Sequence, residues 1–270
     1  MTRIFLVLAL IGATFAEAPP PPIDALQALN DVRLKLVEWK SYLGTLPLTA
    51  EVPGQPAQPA TVEVAFASPN QLRVEMKHEE AAVKESVLLV FGPEVIWGEA
   101  RTEPAGGAAQ VQVKKVVVDK IDSFSLGVLK RLRSVEGVPY LLFAKPGLLL
   151  EFVAQCFSLT ATATDTEISI VGRRTKDPEG LEEAADVLAG IRAVTITVAK
   201  DDKRLLAVEL DGSNGGKVSV SYRDLGWGKA PEASVFDYKA PEGAKVEEAD
   251  ERLNKPGPTP DGAGGPEPPK

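Results

Sequence analysis

Apolar and polar residues alternate along the stretch from Thr61 to Glu99. Alternation with a period of two is typical of strands with one buried face. Pro69-Asn70 and the charged segment 77–80 separate the first runs, and the apolar runs 87–91 and 95–97 follow. The pattern predicts an antiparallel meander with one strongly apolar face. The residues expected on that face are Val64, Phe66, Leu72, Val74, Met76, Leu89 and Trp97.

Two other stretches have helical patterns. After Asp24, which can cap a helix, apolar residues recur at three- and four-residue intervals from Leu26 to Leu43, as in an amphipathic helix lying on a sheet. The stretch from Gly147 to Phe157, with Pro146 at its start, is apolar almost throughout. Such a helix is either buried in the core or covers an apolar cavity. Its lid candidates are Leu149, Phe152 and Val153.

The remaining pattern adds strands and turns. Residues 45–59 contain four prolines and a glycine, so they form a loop or an irregular first strand. Turns rich in Asp, Asn and Gly separate the later strands. Strands are predicted at 111–118, 157–164, 167–172, 193–200, 205–210, 217–222 and 234–238, and further helices at 124–132 and 181–188.

The ends of the chain have a different composition. Residues 1–16 read as a secretory signal peptide, with cleavage possible at Ala18, and residues 17–23 as a Pro-rich spacer. Residues 24–250 are expected to form one domain. Residues 251–270, dominated by Pro, Gly and polar residues, are expected to be disordered. The signal peptide predicts a periplasmic protein.

Composition excludes several functions. The chain has 270 residues with 30 basic and 38 acidic side chains, which argues against nucleic acid as a partner. The single cysteine, Cys156, cannot form an intramolecular disulfide and is expected to be a buried thiol. One His and one Cys cannot make a zinc site, although a carboxylate calcium site stays open. His78, in a charged turn, lacks a nucleophile motif, so we predict a binding protein without cofactor rather than an enzyme.

The meander resembles the front half of the periplasmic lipoprotein carriers of the LolA type. It has a strand, a Pro-Asn turn, an x-Leu-x-Val-x-Met strand, a polar turn, an apolar strand ending in Gly and then a Trp. The segment from Val235 to Val246, which reads VFDYKAPEGAKV, is similar to the closing strand and exit of that family. The resemblance covers residues 24 to 248.

The resemblance implies a mainly β fold with α-helices, in which helices cover the concave apolar face of an incompletely closed antiparallel β-barrel. It implies a periplasmic, monomeric carrier that shields the acyl chains of lipoproteins and transfers them towards the outer membrane. The implied partners are an acylated lipoprotein or another lipid, an inner-membrane lipoprotein-releasing transporter and an outer-membrane acceptor.

Three departures from the family pattern keep alternatives open. Ser68 replaces an Arg that in family carriers holds the lid backbone, Trp97 follows Gly92 at an unusual spacing, and residues 180–189 resemble an insertion. The alternatives are a lipid-binding sensor of the RseB type, a carrier of another lipid, a secreted hydrolase, and a structural β domain whose interior is filled by side chains.

Overall fold

A computed structural model describes residues 23–68, 71–79, 83–117, 142–143, 146–177 and 190–250. The predicted signal peptide, most of the spacer, the helices at 124–132 and 181–188, and the tail beyond 250 lie outside the described residues. Two long helices, α1 (Ala25–Glu38) and α2 (Pro146–Cys156), accompany a large sheet. The fold is therefore mainly β with α, as the sequence predicted.

The sheet contains thirteen described strands and is not closed by hydrogen bonds. Strand β13 forms one end and β7 the other, in the order β13-β6-β5-β4-β3-β2-β1-β11-β10-β9-β8-β7, with the short β12 paired to β1. The strands are β1 (Ser41–Glu51), β2 (Gln58–Ala67), β3 (Gln71–Glu79), β4 (Val83–Phe91), β5 (Val95–Pro104), β6 (Gln110–Val117), β7 (Phe157–Ala163), β8 (Glu167–Arg174), β9 (Ile191–Ala199), β10 (Leu205–Gly212), β11 (Lys217–Ser221), β12 (Gly226–Trp227) and β13 (Val246–Asp250).

The predicted meander is confirmed, and so is the open barrel. Neighbouring strands from β2 to β6 run antiparallel, with Val64 opposite Val74 and Val74 opposite Leu89. The pairing of β13 with β6 is parallel, which departs from the expected all-antiparallel arrangement.

Two boundaries predicted from sequence are wrong. Helix α1 ends at Glu38, because Trp39 is already extended and residues from Ser41 onward pair with β2. Periodicity continued through Leu43 because apolar residues of the strand fell in step with the helical pattern. The predicted strand 234–238 contains instead a short 3₁₀ helix, Ala233–Phe236, and the last strand is β13.

The two helices cover the concave face of the sheet. Asp24 caps α1 by accepting from the backbone N–H groups of Leu26 and Gln27, both at 3.0 Å. Helix α1 packs on α2 and on β7 and β8, and α2 packs on the same two strands. Leu29 and Val32 of α1 are fully buried. The apolar character of α2 therefore reflects burial, and Cys156 is buried, as predicted.

The expectation that Trp97 lies on the concave face is wrong. Trp97 pairs with Val90, and Val90 with Arg73, so its side chain lies on the face opposite Val74 and Leu89. Its neighbour Ile96, only 3% exposed, takes the concave position. The C-terminal segment covers the Trp97 ring, since the ring of Tyr238 lies 5.1 Å away, centroid to centroid, and its hydroxyl donates to Glu99 at 2.6 Å.

Leu72 offers a test of the packed interior. Its side chain is fully buried in the core. Leu72→Ala is expected to lower the free energy of unfolding by about 2–5 kcal/mol, because it removes apolar contacts and leaves a cavity. Denaturant unfolding measures the change. Val171→Ala, at an exposed position of β8, is the control and should change stability by no more than about 0.5 kcal/mol. Equal effects of the two substitutions would contradict the burial of Leu72.

Candidate functional site

An open groove lies where α1, α2 and one end of the concave face meet. Its volume is about 530 Å³, within the roughly 300–1,000 Å³ of ligand-binding pockets. The C-terminal half of α1 and the first turns of α2 form its walls, and β1, β2 and β12 form its floor. It therefore belongs to the face where the sequence predicted a cavity, but at its end rather than its centre.

Aromatic side chains form the floor of the groove. The ring of Tyr42 stacks on Phe66 at 4.9 Å and meets Trp227 edge-on at 5.2 Å. Trp227 also stacks on Trp39, at 4.7 Å. Strand pairing sets this cluster, because Tyr42 lies opposite both Phe66 and Trp227 in the sheet. The floor is thus aromatic and apolar, and strand pairing sets its arrangement.

The α1 wall leaves apolar side chains exposed to solvent. Leu34 is 65% exposed and Val37 79%, and both line the groove. On the α2 side Leu148 is half-buried, and Gly147 leaves open space, since a Cβ atom placed there would meet nothing within 4 Å. The groove is open because the first turn of α2 lacks a side chain that could fill it.

One end of the groove is polar. The Arg33 guanidinium lies 3.2 Å from a carboxylate oxygen of Glu151, so this ion pair links α1 to α2. Arg33 also donates to the side-chain oxygen of Asn30, at 3.2 Å, and Gln155 donates to Glu151 at 3.4 Å. Arg33, Glu151 and Asn30 line the groove. The site therefore combines a long apolar section with a charged rim.

Two buried tyrosines hold the backbone just before α2. The Tyr42 hydroxyl donates to the carbonyl of Phe143 at 2.5 Å, and the Tyr222 hydroxyl donates to the carbonyl of Leu142 at 2.6 Å. Burial raises the pKa of both hydroxyls above the ordinary value of 10.0. Both tyrosines therefore stay protonated and able to donate throughout the physiological pH range.

These contacts bear on the family position occupied by Ser68. In the family, the resemblance implies an Arg there that binds lid backbone. Here Ser68 is exposed, and its backbone N–H donates to the Lys40 carbonyl at 2.8 Å. The tyrosine hydroxyls instead bind the carbonyls of Leu142 and Phe143. Arg73 lies on the same face as Trp97 and binds Glu75 at 3.1 Å.

Only one of the predicted cavity residues, Phe66, lines the groove. Met76 is half-buried against the core, and Trp97 lies on the other face. The other four predicted cavity residues are buried in the core, as are the three lid candidates. The buried cavity residues are Val64, Leu72, Val74 and Leu89, and the buried lid candidates are Leu149, Phe152 and Val153. Their contact with a ligand stays a prediction.

Sequence reasoning missed most of the groove. The site residues predicted from sequence do not include Trp227, Leu148 or Glu151. A usable signal exists in α1, where Leu34 and Val37 fall outside the buried stripe of Leu29 and Val32. Apolar residues on the outer face of an amphipathic helix indicate a surface that binds something apolar.

Other chemistry is sparse in the described part of the chain. Within it, no group of three or more His, Cys, Asp or Glu side chains is placed to hold a metal ion. His78 lies near the end of β3, where its Nδ1 is 3.1 Å from the Pro59 carbonyl oxygen. Among the described residues, no helix has the length and hydropathy needed to cross a bilayer.

Comparison with known proteins gives distant structural similarities. Neither protein-family models nor curated protein sequences match the chain. A solved structure of an uncharacterised conserved protein from Thermus thermophilus matches with 12% identity over 83% of this chain and 99% of its own, at a TM-score of 0.42. A LolA superfamily protein from Nitrosomonas europaea matches with 9% identity over 80% and 98%, at 0.35.

The Pseudomonas aeruginosa MucA/MucB complex also matches, with 13% identity over 80% of this chain and a TM-score of 0.40. The chain spans about 62% of that matched protein. At these identities and TM-scores, the function must be argued from the groove itself.

The two buried tyrosines predict a pH effect on stability. Because their pKa is higher in the folded than in the unfolded chain, the folded state holds more protons above about pH 10, so stability falls as pH rises through that range. Each tyrosine contributes up to about 1.4 kcal/mol per pH unit. Denaturant unfolding between about pH 8 and pH 11 measures the slope.

A double variant, Tyr42→Phe with Tyr222→Phe, isolates this effect. It is expected to be less stable near neutral pH, by about 1–3 kcal/mol for each lost hydrogen bond, because buried carbonyls lose their donors. Its stability should also decline less steeply above about pH 10. Tyr238, whose pKa is also raised by burial and by its hydrogen bond to Glu99, is kept in both proteins and contributes equally to both slopes. If the double variant lost stability with rising pH as steeply as the wild type, the pH effect could not be assigned to Tyr42 and Tyr222.

Proposed function

We propose that this protein is a periplasmic carrier that shields lipid acyl chains in the groove between α1 and α2, with acylated lipoproteins as the first candidate cargo. The observation that carries the proposal is the groove itself. It is open, apolar over most of its length and floored by stacked aromatic rings. Each buried methylene group of a chain would contribute about 0.8 kcal/mol.

The size of the groove fits a lipid chain better than a compact metabolite. A water molecule occupies about 30 Å³ of liquid and a methylene group has a similar size, so 530 Å³ accommodates roughly 15 to 20 such groups. Few polar groups line the groove, whereas a site for a polar metabolite needs several convergent donors and acceptors. The apolar side chains exposed on α1 would be covered by such a ligand.

The structural alternative, a β domain with a filled interior, accounts for only part of the molecule. Most of the concave face is filled by side chains, among them Leu72, Leu149 and Phe152. The structural alternative does not account for Leu34 and Val37, which stay exposed beside an open groove at an energetic disadvantage. A carrier needs such a surface when it takes up and releases cargo.

A first experiment identifies the cargo. The mature protein is isolated from periplasm without detergent and studied by native mass spectrometry, followed by lipid extraction. We expect a bound acylated molecule, and its mass distinguishes a lipoprotein from another lipid. A clean apo mass that stays unchanged after incubation with a triacylated lipoprotein and with phospholipid would overturn the carrier proposal.

A second experiment locates the cargo. Gly147→Phe is expected to fill the groove and to lower acyl-chain affinity at least about tenfold, because the added ring occupies the space above Phe66. Titration of a fluorescent fatty acid measures the affinity. The matched control is Val171→Phe, at an exposed position of β8 outside the groove, which should bind like the wild type. Equal affinities of the two variants would exclude the groove.

A further inference from the structure

The polar rim of the groove carries information about the ligand beyond its acyl chain. Of the charged side chains that line the groove, one is a cation, Arg33, and one is an anion, Glu151. They pair with each other at 3.2 Å across the gap between α1 and α2. Any head group of a lipid lying in the groove would meet this pair as its chain runs towards the aromatic floor.

Arg33 and Glu151 are not equally able to accept a new partner. A guanidinium has five N–H donors, and the described contacts use its two terminal nitrogens, towards Asn30 and Glu151. The Glu151 carboxylate already accepts from Arg33 and from Gln155. Arg33 can therefore bind an additional anion at its remaining N–H donors, whereas Glu151 has fewer acceptor sites left for a cation.

The existing ion pair also shows that a carboxylate fits at Arg33. Both side chains are partly exposed, Arg33 at 33% and Glu151 at 42%, so the pair is solvent-screened and weak. The carboxylate or phosphate of a ligand can therefore pair with Arg33 without the loss of a strong ion pair. The fixed guanidinium can then contribute to the choice of ligand at little cost.

We propose that the groove takes one acyl chain of its cargo together with an anionic group next to that chain, and that Arg33 determines the preference for an anionic group by binding it. The inference rests on the proposed function, because it presumes that the groove takes an acyl chain. The shared chemistry is an anionic oxygen group next to a single chain, as in a fatty acid or a lysophospholipid with a net negative charge.

The test compares head groups on one chain length. The mature protein is titrated calorimetrically at about pH 8, where a carboxylate is ionised, with laurate, monolaurin and dodecyltrimethylammonium below their micelle concentrations. We expect laurate to bind about fivefold tighter than neutral monolaurin, and the cation to bind weakest. A fivefold ratio corresponds to about 1 kcal/mol, as for one partly exposed ion pair. A lauroyl lysophospholipid with an anionic head group distinguishes phosphate from carboxylate.

Two variants assign the preference to the rim. Arg33→Gln should bring the ratio of laurate to monolaurin affinity down to about one, and Glu151→Gln should raise it above the wild-type value because Arg33 loses its competing carboxylate. Arg101→Gln, in the distant hairpin of β4 and β5, is the control and should keep the wild-type ratio.

The outcomes separate this inference from the function on which it rests. Binding of all three amphiphiles with equal affinity, or an unchanged ratio in Arg33→Gln, would overturn the head-group inference while leaving the carrier intact. If the cationic amphiphile bound most tightly, Glu151 would be the residue that selects the head group, and the head-group inference would again be overturned. Failure of every amphiphile to bind the wild type would overturn the proposed function, and the inference with it.

Discussion

The concave face of an open sheet must be covered by something other than its own strands. Alternation along the strands places apolar side chains on that face, and their exposure to water would cost about 25 cal/mol per Å². Helices α1 and α2 supply the cover, with Leu29, Val32 and Phe152 fully buried between the layers. The architecture, the position of the groove and the buried tyrosines all depend on how far this cover reaches.

The helices leave the concave face open beside the start of α2, and the sequence of α2 explains why. Its first turn begins with Pro146 and Gly147, which leave space above Tyr42 and Phe66. One turn later the large side chains of Leu149 and Phe152 fill the interior completely. The same helix is therefore both a core element and the wall of an open site, and the two interpretations considered from its sequence apply to different turns.

The sequence specified the elements better than it specified the site. Strands of the meander and helix α2 follow from periodicity, which depends on neighbouring residues alone. The groove depends on Tyr42, Phe66 and Trp227, which lie far apart in the chain and meet only through strand pairing. Trp97 was misplaced because the run Val95 to Trp97 is apolar throughout, so alternation does not determine which of its residues face the interior. The C-terminal segment with Tyr238 covers Trp97 on the other face.

Tyr42 links the groove to the chain segment that precedes α2. Its ring belongs to the aromatic floor, while its hydroxyl donates to the Phe143 carbonyl, three residues before the helix begins. A ligand that displaced the ring would break this hydrogen bond and leave a buried carbonyl without its donor, a change that costs about 1–3 kcal/mol. Ligands that lie flat on the ring avoid this cost. Tyr42 is therefore part of the groove floor and also holds the backbone at Phe143, so its ring cannot move without the loss of this contact.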